Sequence, residues 1–215
     1  MVRKVLLICG IVSSVLYVAM NIVGATQFEG YDSASQAVSE LFAIGAPSRP
    51  LWVLLGIVYQ ILVIAFGWGV WASAGGNRAL RIVGGLVLAY GVVGLAAPFF
   101  PMHMRGTGLT LTDTMHKILT MVTVLLMLTA IGFGAAAFGK RFRVYSIATI
   151  AILLVFGALT GLDAPKIEAN QPTPWVGVTE RINIGVFLLW VVVLAVALLC
   201  TQADKPQEGD LIRHV

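Results

Sequence analysis

Charge is what this sequence has least of. Only 11% of its 215 residues are Asp, Glu, Lys or Arg, and 59% are apolar. Soluble domains carry roughly 25% charged and 45–50% apolar residues. The few charges cluster between uninterrupted apolar runs of about 20 residues, the length of a helix that crosses a bilayer. A membrane β-barrel is excluded, because these runs lack its alternation of polar and apolar positions. Cysteine is almost missing too. Cys9 and Cys200 fall near the ends of apolar runs, which rules out a disulfide framework and a thiolate metal site at CxxC spacing. Between the interfacial ends of the runs there is no Asp, Glu, Lys, Arg or His, only Gln60 with scattered Ser, Thr and Tyr. Intramembrane charges mark ion and proton paths, so their absence argues against a proton-coupled pump or a voltage sensor. No internal repeat or low-complexity segment is present.

What is there predicts an all-α polytopic membrane protein with six transmembrane helices. The first span is 5–25. Val23-Gly24-Ala25 has the look of a signal-peptidase site, but the apolar stretch exceeds the 7–15 residues of a signal core and is expected to stay as a helix. Residues 26–50 are too polar to span. In that loop Asp32 or Ser33 is expected to cap a short helix, with Ser33 and Gln36 at capping-box spacing. Val38, Leu41 and Phe42 would share one face and Ser33, Gln36 and Glu40 the other, so that the helix lies in the interface or dips inward. Gly45 and Pro47 would end it. Further spans are expected at 51–74, at 80–98 after a Gly75-Gly76-Asn77-Arg78 turn, from a Thr112 or Asp113 cap to 138, at 144–162, and from a Thr179 cap to 200. The 163–178 loop holds Pro165, Pro172 and Pro174 and should be irregular, with Trp175 as an interfacial anchor. Residues 1–200 thus form the transmembrane domain, and 201–215 a polar tail.

Lysine and arginine set the orientation. Arg3, Lys4, Arg78, Arg81, Lys140, Arg141, Arg143, Lys205 and Arg213 fall on one side of the membrane, and Arg49, Arg105, Lys117, Lys166 and Arg181 on the other. The positive-inside rule then places both termini in the cytoplasm and the three longer loops outside. The formal charge of +4 follows from this topology and is no nucleic-acid signal.

Chemistry is therefore expected at the outer face, around residues 101–120, PMHMRGTGLTLTDTMHKILT. Asp113 and His116 are i, i+3 on one turn, and His103 ends the preceding segment. Two imidazoles and a carboxylate suit a zinc ion with an open position for water, so His103, Asp113 and His116 are candidate metal ligands. Glu180 or Glu40 is the candidate general base, and Asp32, Arg105, Arg181 and Trp175 are candidate substrate-binding residues. Copper is disfavoured, because the methionines beside the histidines are few and ordinary in membrane helices; haem is disfavoured because His103 falls in a loop. The structural alternative is that Asp113 is a helix cap, Glu180 a cap or a partner of Arg181 or Arg105, and the histidines bond loop carbonyls.

At YDSASQAVSELFAIGAPSR, FPMHMRG with TDTMHK, and the GVTERINI helix start, the chain resembles the small prokaryotic membrane proteins grouped as "domain of unknown function 998". That resemblance covers the chain from the first span to the sixth and implies a six-helix protein of a prokaryotic inner membrane, without assigning an activity. A more distant likeness is to the alkaline ceramidase and progestin/adipoQ receptor hydrolases, which bind zinc through three histidines, an aspartate and a serine. Here the third outer histidine and the seventh helix are missing, so no residue carries over. Two functions follow as expectations: a metal-assisted hydrolase of lipid-like substrates, or a non-enzymatic protein whose outer pocket binds a lipid headgroup or small solute for transport, sensing or assembly. Membrane lipids, a lipid-like substrate or another membrane protein are the expected partners.

Overall fold

The computed structural model describes residues 1–107 and 109–203. Six helices carry the chain: α1 (Val2–Gln27), α2 (Arg49–Ser73), α3 (Arg78–Gly94), α4 (Leu111–Ala137), α5 (Lys140–Glu168) and α6 (Val176–Ala203). Each is long and apolar enough to cross a membrane, α3 when its continuation to Phe99 is included. Helices are the form such runs must take in lipid, where backbone N–H and C=O groups have no water to bond. Among the described residues there is no β-strand, only an isolated bridge between Ile44 and His103.

Each helix packs against the next in sequence, and α1 also packs against α6, so the six close into a ring. Neighbours run antiparallel. Gly10 meets Phe66 and Gly24 meets Trp52 along α1–α2, and Gly157 meets Asn183 along α5–α6. One end of the bundle thus gathers the three longer loops, and the other gathers the N-terminus and two tight turns. The α2–α3 pair is the closest. A Cβ on Gly67 would lie 2.7 Å from the Leu88 amide nitrogen, and one on Gly84 would lie 2.6 Å from that of Trp71. Hydrogen at both positions lets the backbones touch, which is how helices associate where lipid removes any hydrophobic drive. The centre is filled by Leu7, Phe66, Val83, Ile131, Trp190 and Leu194. Trp190 donates its indole N–H to Ser146 Oγ at 3.1 Å, so the largest buried side chain leaves no orphan donor.

Several expected boundaries change. The first loop has a turn at 33–35 and a 3₁₀ helix at Val38–Phe42 begun at Ala37, not a helix capped by Asp32 or Ser33. Asp32 instead accepts from the Ala34 N–H (3.0 Å) and the Ser35 hydroxyl (2.5 Å) and folds back on its own turn. Helix α4 is capped by Thr110, whose hydroxyl accepts from the Asp113 N–H, while Asp113 reaches back to the Thr110 N–H at 3.0 Å. Helix α5 continues past Leu162 to Glu168 with Pro165 inside it. Its extra turns are held by buried Ile167, packed with Ala37 and Val176, and by a Lys117–Glu168 ion pair. The expected tail lies almost wholly outside the described residues.

Candidate functional site

The polar residues of the loop end fall into two layers. The upper layer ties the loops together. Glu40 is fully buried, with 0% exposure, and Arg105 meets it with two nitrogens: Nε to Oε2 at 2.8 Å and Nη2 to Oε1 at 2.7 Å. The Ala37 N–H (2.8 Å) and the Gln36 amide (3.3 Å) complete the carboxylate's partners. Such a fork satisfies both oxygens at once, which a buried ion pair needs to offset its lost hydration. The same guanidinium donates to the Ser35 carbonyl (2.8 Å) and the Thr173 hydroxyl (2.9 Å), joining all three loops. The bond to Glu40 raises the Arg105 pKa above its usual value.

Glu180 and Arg181, at the start of α6, hold the first loop from the other side. Glu180 Oε2 accepts from the Val38 N–H at 2.5 Å, at the start of the 3₁₀ helix. Arg181 donates to the Ser33 carbonyl (2.7 Å), the Asn21 side chain (3.2 Å) and the Tyr31 hydroxyl (2.8 Å). Burial pushes the Tyr31 phenol up to about 12, against the lowering effect of Arg181. At Asp32 the Ser35 hydroxyl and the Ala34 N–H lower the carboxyl pKa. Trp175 stands apart, 66% exposed.

The three expected metal ligands are divided. Asp113 accepts from the His103 backbone N–H (2.7 Å), lies 3.0 Å from His103 Nδ1, and accepts from the Thr110 hydroxyl (2.6 Å). His116 is a turn further on and bonds the Phe100 carbonyl through Nδ1 at 3.2 Å, with its ring 5.7 Å from that of Phe42. The i, i+3 spacing fails to unite Asp113 with His116 because the capping box draws the carboxylate back over the helix start. Among the described residues no three His, Cys, Asp or Glu side chains form a group that could hold a metal ion.

The lower layer is a cavity. A partly open space of about 180 Å³ lies between the loop-end halves of α1, α2, α3 and the start of α4. Aromatic rings form much of its wall: Tyr17 stands edge-on to Trp52 and Tyr59, and Phe42 stacks on Trp52 at 5.5 Å. His116, Gln60, Thr120, Thr123 and the Tyr59–Tyr90 hydroxyl pair, 3.2 Å apart, are among the groups that bring polarity to it. Gln60 is backed by Gly94, where any side chain would collide with its amide, and its Oε1 is buried without a hydrogen-bond partner. Since the Phe100 carbonyl can only accept, His116 Nδ1 carries the proton of that bond and Nε2 is left as an acceptor in the neutral ring. On the α2 wall Gly56 faces open space, with nothing within 4 Å of where a Cβ would stand.

A family model described as "Protein of unknown function (DUF998)" matches residues 11–197, from α1 to α6. The chain belongs to this family. No curated protein and no solved structure matches it. For this DUF998 protein the matched region spans both layers, the Glu40–Arg105 pair and the cavity below it. Gln60 was visible in the sequence as an amide near the middle of a span; the aromatic residues around it gave no signal, being ordinary membrane-helix residues. Trp52 likewise became notable only when α1 brought Gly24 against its indole nitrogen, which is buried and unpartnered.

Proposed function

We propose that this DUF998 protein is a membrane-embedded binding protein whose cavity takes the polar end of a lipid-like amphipathic molecule. The buried, unpartnered Gln60 Oε1 in the wall of an aromatic-lined cavity carries this reading. Buried polar atoms are almost always satisfied, and an exception calls for a partner from outside the chain. Gln60 Oε1 and His116 Nε2 both accept, while Trp52 Nε1 on the same lining can only donate, a combination that suits a hydroxyl- or amine-bearing end. Sites that enclose whole drug-sized ligands have roughly 300–1,000 Å³. A cavity of about 180 Å³ suits one end of a longer molecule whose apolar remainder lies among the lipids.

Binding is favoured over metal-assisted hydrolysis because the groups that hydrolysis needs are committed elsewhere. Both oxygens of Glu40 bond to Arg105, Glu180 anchors the Val38 N–H, and the metal-ligand candidates are split between the two layers. The test is lipid mass spectrometry on protein released from its native membrane in mild detergent, beside His116→Ala and His103→Ala. Enrichment of one hydroxyl- or amine-headed amphiphile over the bulk lipid, reduced in His116→Ala and kept in His103→Ala, is expected. Recovery of bulk lipid alone from folded wild-type protein would overturn the reading.

A further inference from the structure

At the opposite end of the bundle, a groove of about 370 Å³ runs beside the α2–α3 turn, lined by Trp71, Gly76, Arg78, Arg81 and Ile82. Arg78, Arg81 and Ile82 are i, i+3 and i+4 on the first turns of α3 and so share one face. Trp71 closes the other wall. It is 42% exposed, with its ring laid against Gly85, where a Cβ would stand 3.1 Å from Cζ3. One guanidinium nitrogen of Arg81 donates to the Gly75 carbonyl at 2.8 Å, which fixes that side chain over the turn and leaves its other donors unassigned. Neither arginine has an acidic partner among the described residues. This end of the bundle carries Arg3, Lys4, Arg78, Arg81 and the basic turn at 140–143, with no Asp or Glu among its described residues.

From this juxtaposition we infer that the groove is a binding site for an anionic phospholipid, its phosphate held by Arg78 and Arg81 and its glycerol and upper acyl chain laid over Trp71 and Ile82. Guanidinium groups present paired donors that match phosphate oxygens. An aromatic ring beside them suits the interfacial depth at which a headgroup meets its chains. Free phosphate shares the charge and would use the arginines alone; a lipid also needs the apolar wall. The site is independent of the cavity at the loop end.

The test uses the full chain in phosphatidylcholine nanodiscs doped with brominated phosphatidylglycerol or, separately, brominated phosphatidylcholine, reading the tryptophan quenching that disappears in Trp71→Phe. Half-quenching at a lower mole fraction of phosphatidylglycerol is expected. Each of Arg78→Gln and Arg81→Gln should weaken the preference about fivefold, since a basic residue at an anionic surface is worth about one such factor. Lys140→Gln with Arg141→Gln, at the other turn, should leave it intact. Both arginines are exposed, and an unchanged thermal midpoint in the double variant will show that folding is preserved. Equal quenching by the two lipids would overturn the inference, as would an equal loss in the 140–141 variant, which would indicate diffuse surface charge. Suppression of the preference by millimolar inorganic phosphate would do so as well, by assigning the arginines to a soluble anion.

Discussion

Gly56→Leu should stabilise the protein and abolish its ligand binding together. Gly56 lines the loop-end cavity from within α2, and a Cβ there meets nothing within 4 Å. Two gains are expected. Replacing glycine in a helix interior is worth about 1 kcal/mol. Filling a void recovers part of its cost, at about 24 cal/mol per Å³; for 180 Å³ that cost is at most about 4 kcal/mol. A partly open cavity filled by one isobutyl group should return a fraction of this, for a total of about 1–3 kcal/mol. At about 2–4 °C per kcal/mol for a chain of this size, the ligand-free thermal midpoint rises by about 2–12 °C. Wild-type protein gains about 2.7 kcal/mol from a ligand at a hundred times its dissociation constant, and the variant should gain nothing. Differential scanning of detergent-purified protein, with and without the co-purifying amphiphile, measures both. A variant that keeps wild-type ligand stoichiometry, or that melts lower than wild type without ligand, refutes the reasoning, because leucine would then not be entering the ligand's space.

Three further outcomes follow from the loop-end geometry. Arg105→Gln should cost about 3–5 kcal/mol, the usual effect of leaving a buried charge unpaired, seen as a lowered thermal midpoint; near-wild-type stability would mean that Glu40 has another partner. Elemental analysis of untagged protein should find no stoichiometric transition metal, and near-stoichiometric zinc lost in folded His103→Ala and His116→Ala would reinstate the metal reading. Tyr31 should add an alkaline limit. Its folded-state pKa of about 12 lies above the ordinary value of 10, so the folded chain keeps a proton that the unfolded chain has released. Its contribution is therefore full below pH 10 and falls as pH rises from about 10 to about 12. In Tyr31→Phe the midpoint should fall less steeply across that window; identical slopes would place the phenol in water.

The six spans were legible because each is a continuous apolar run with its polar residues at the ends, and that pattern alone forces helices in lipid. Local turn chemistry was only partly so. Thr110 and Asp113 are at box spacing, yet Thr112 competes for the cap, and the choice rests on Asp113 also holding the His103 N–H. Pro165 looked like a helix end because it removes one backbone donor; contacts of Ile167 and Glu168 with distant segments carry the helix past it. The clamps were beyond reach. Arg105 finds Glu40 across 65 residues and Glu180 finds Val38 across 142, and no local spacing encodes such pairs. The polar residues were correctly located at the loop end, while their division into loop ties and a cavity wall depended on how the ring closes.

That closure sets an order of events during synthesis. The first loop leaves the ribosome early, but the residues that fasten it lie far behind: Arg105 precedes α4, and Glu180 and Arg181 open α6. Until the last helix is inserted, Glu40 can find its arginine but the Val38 N–H and the Ser33 carbonyl have no anchor, and the seam between α1 and α6 stays open. A chain truncated after α5 would present an unfastened loop and one unpaired flank of α1 to the membrane. The first loop is thus fastened only once α6 is in place.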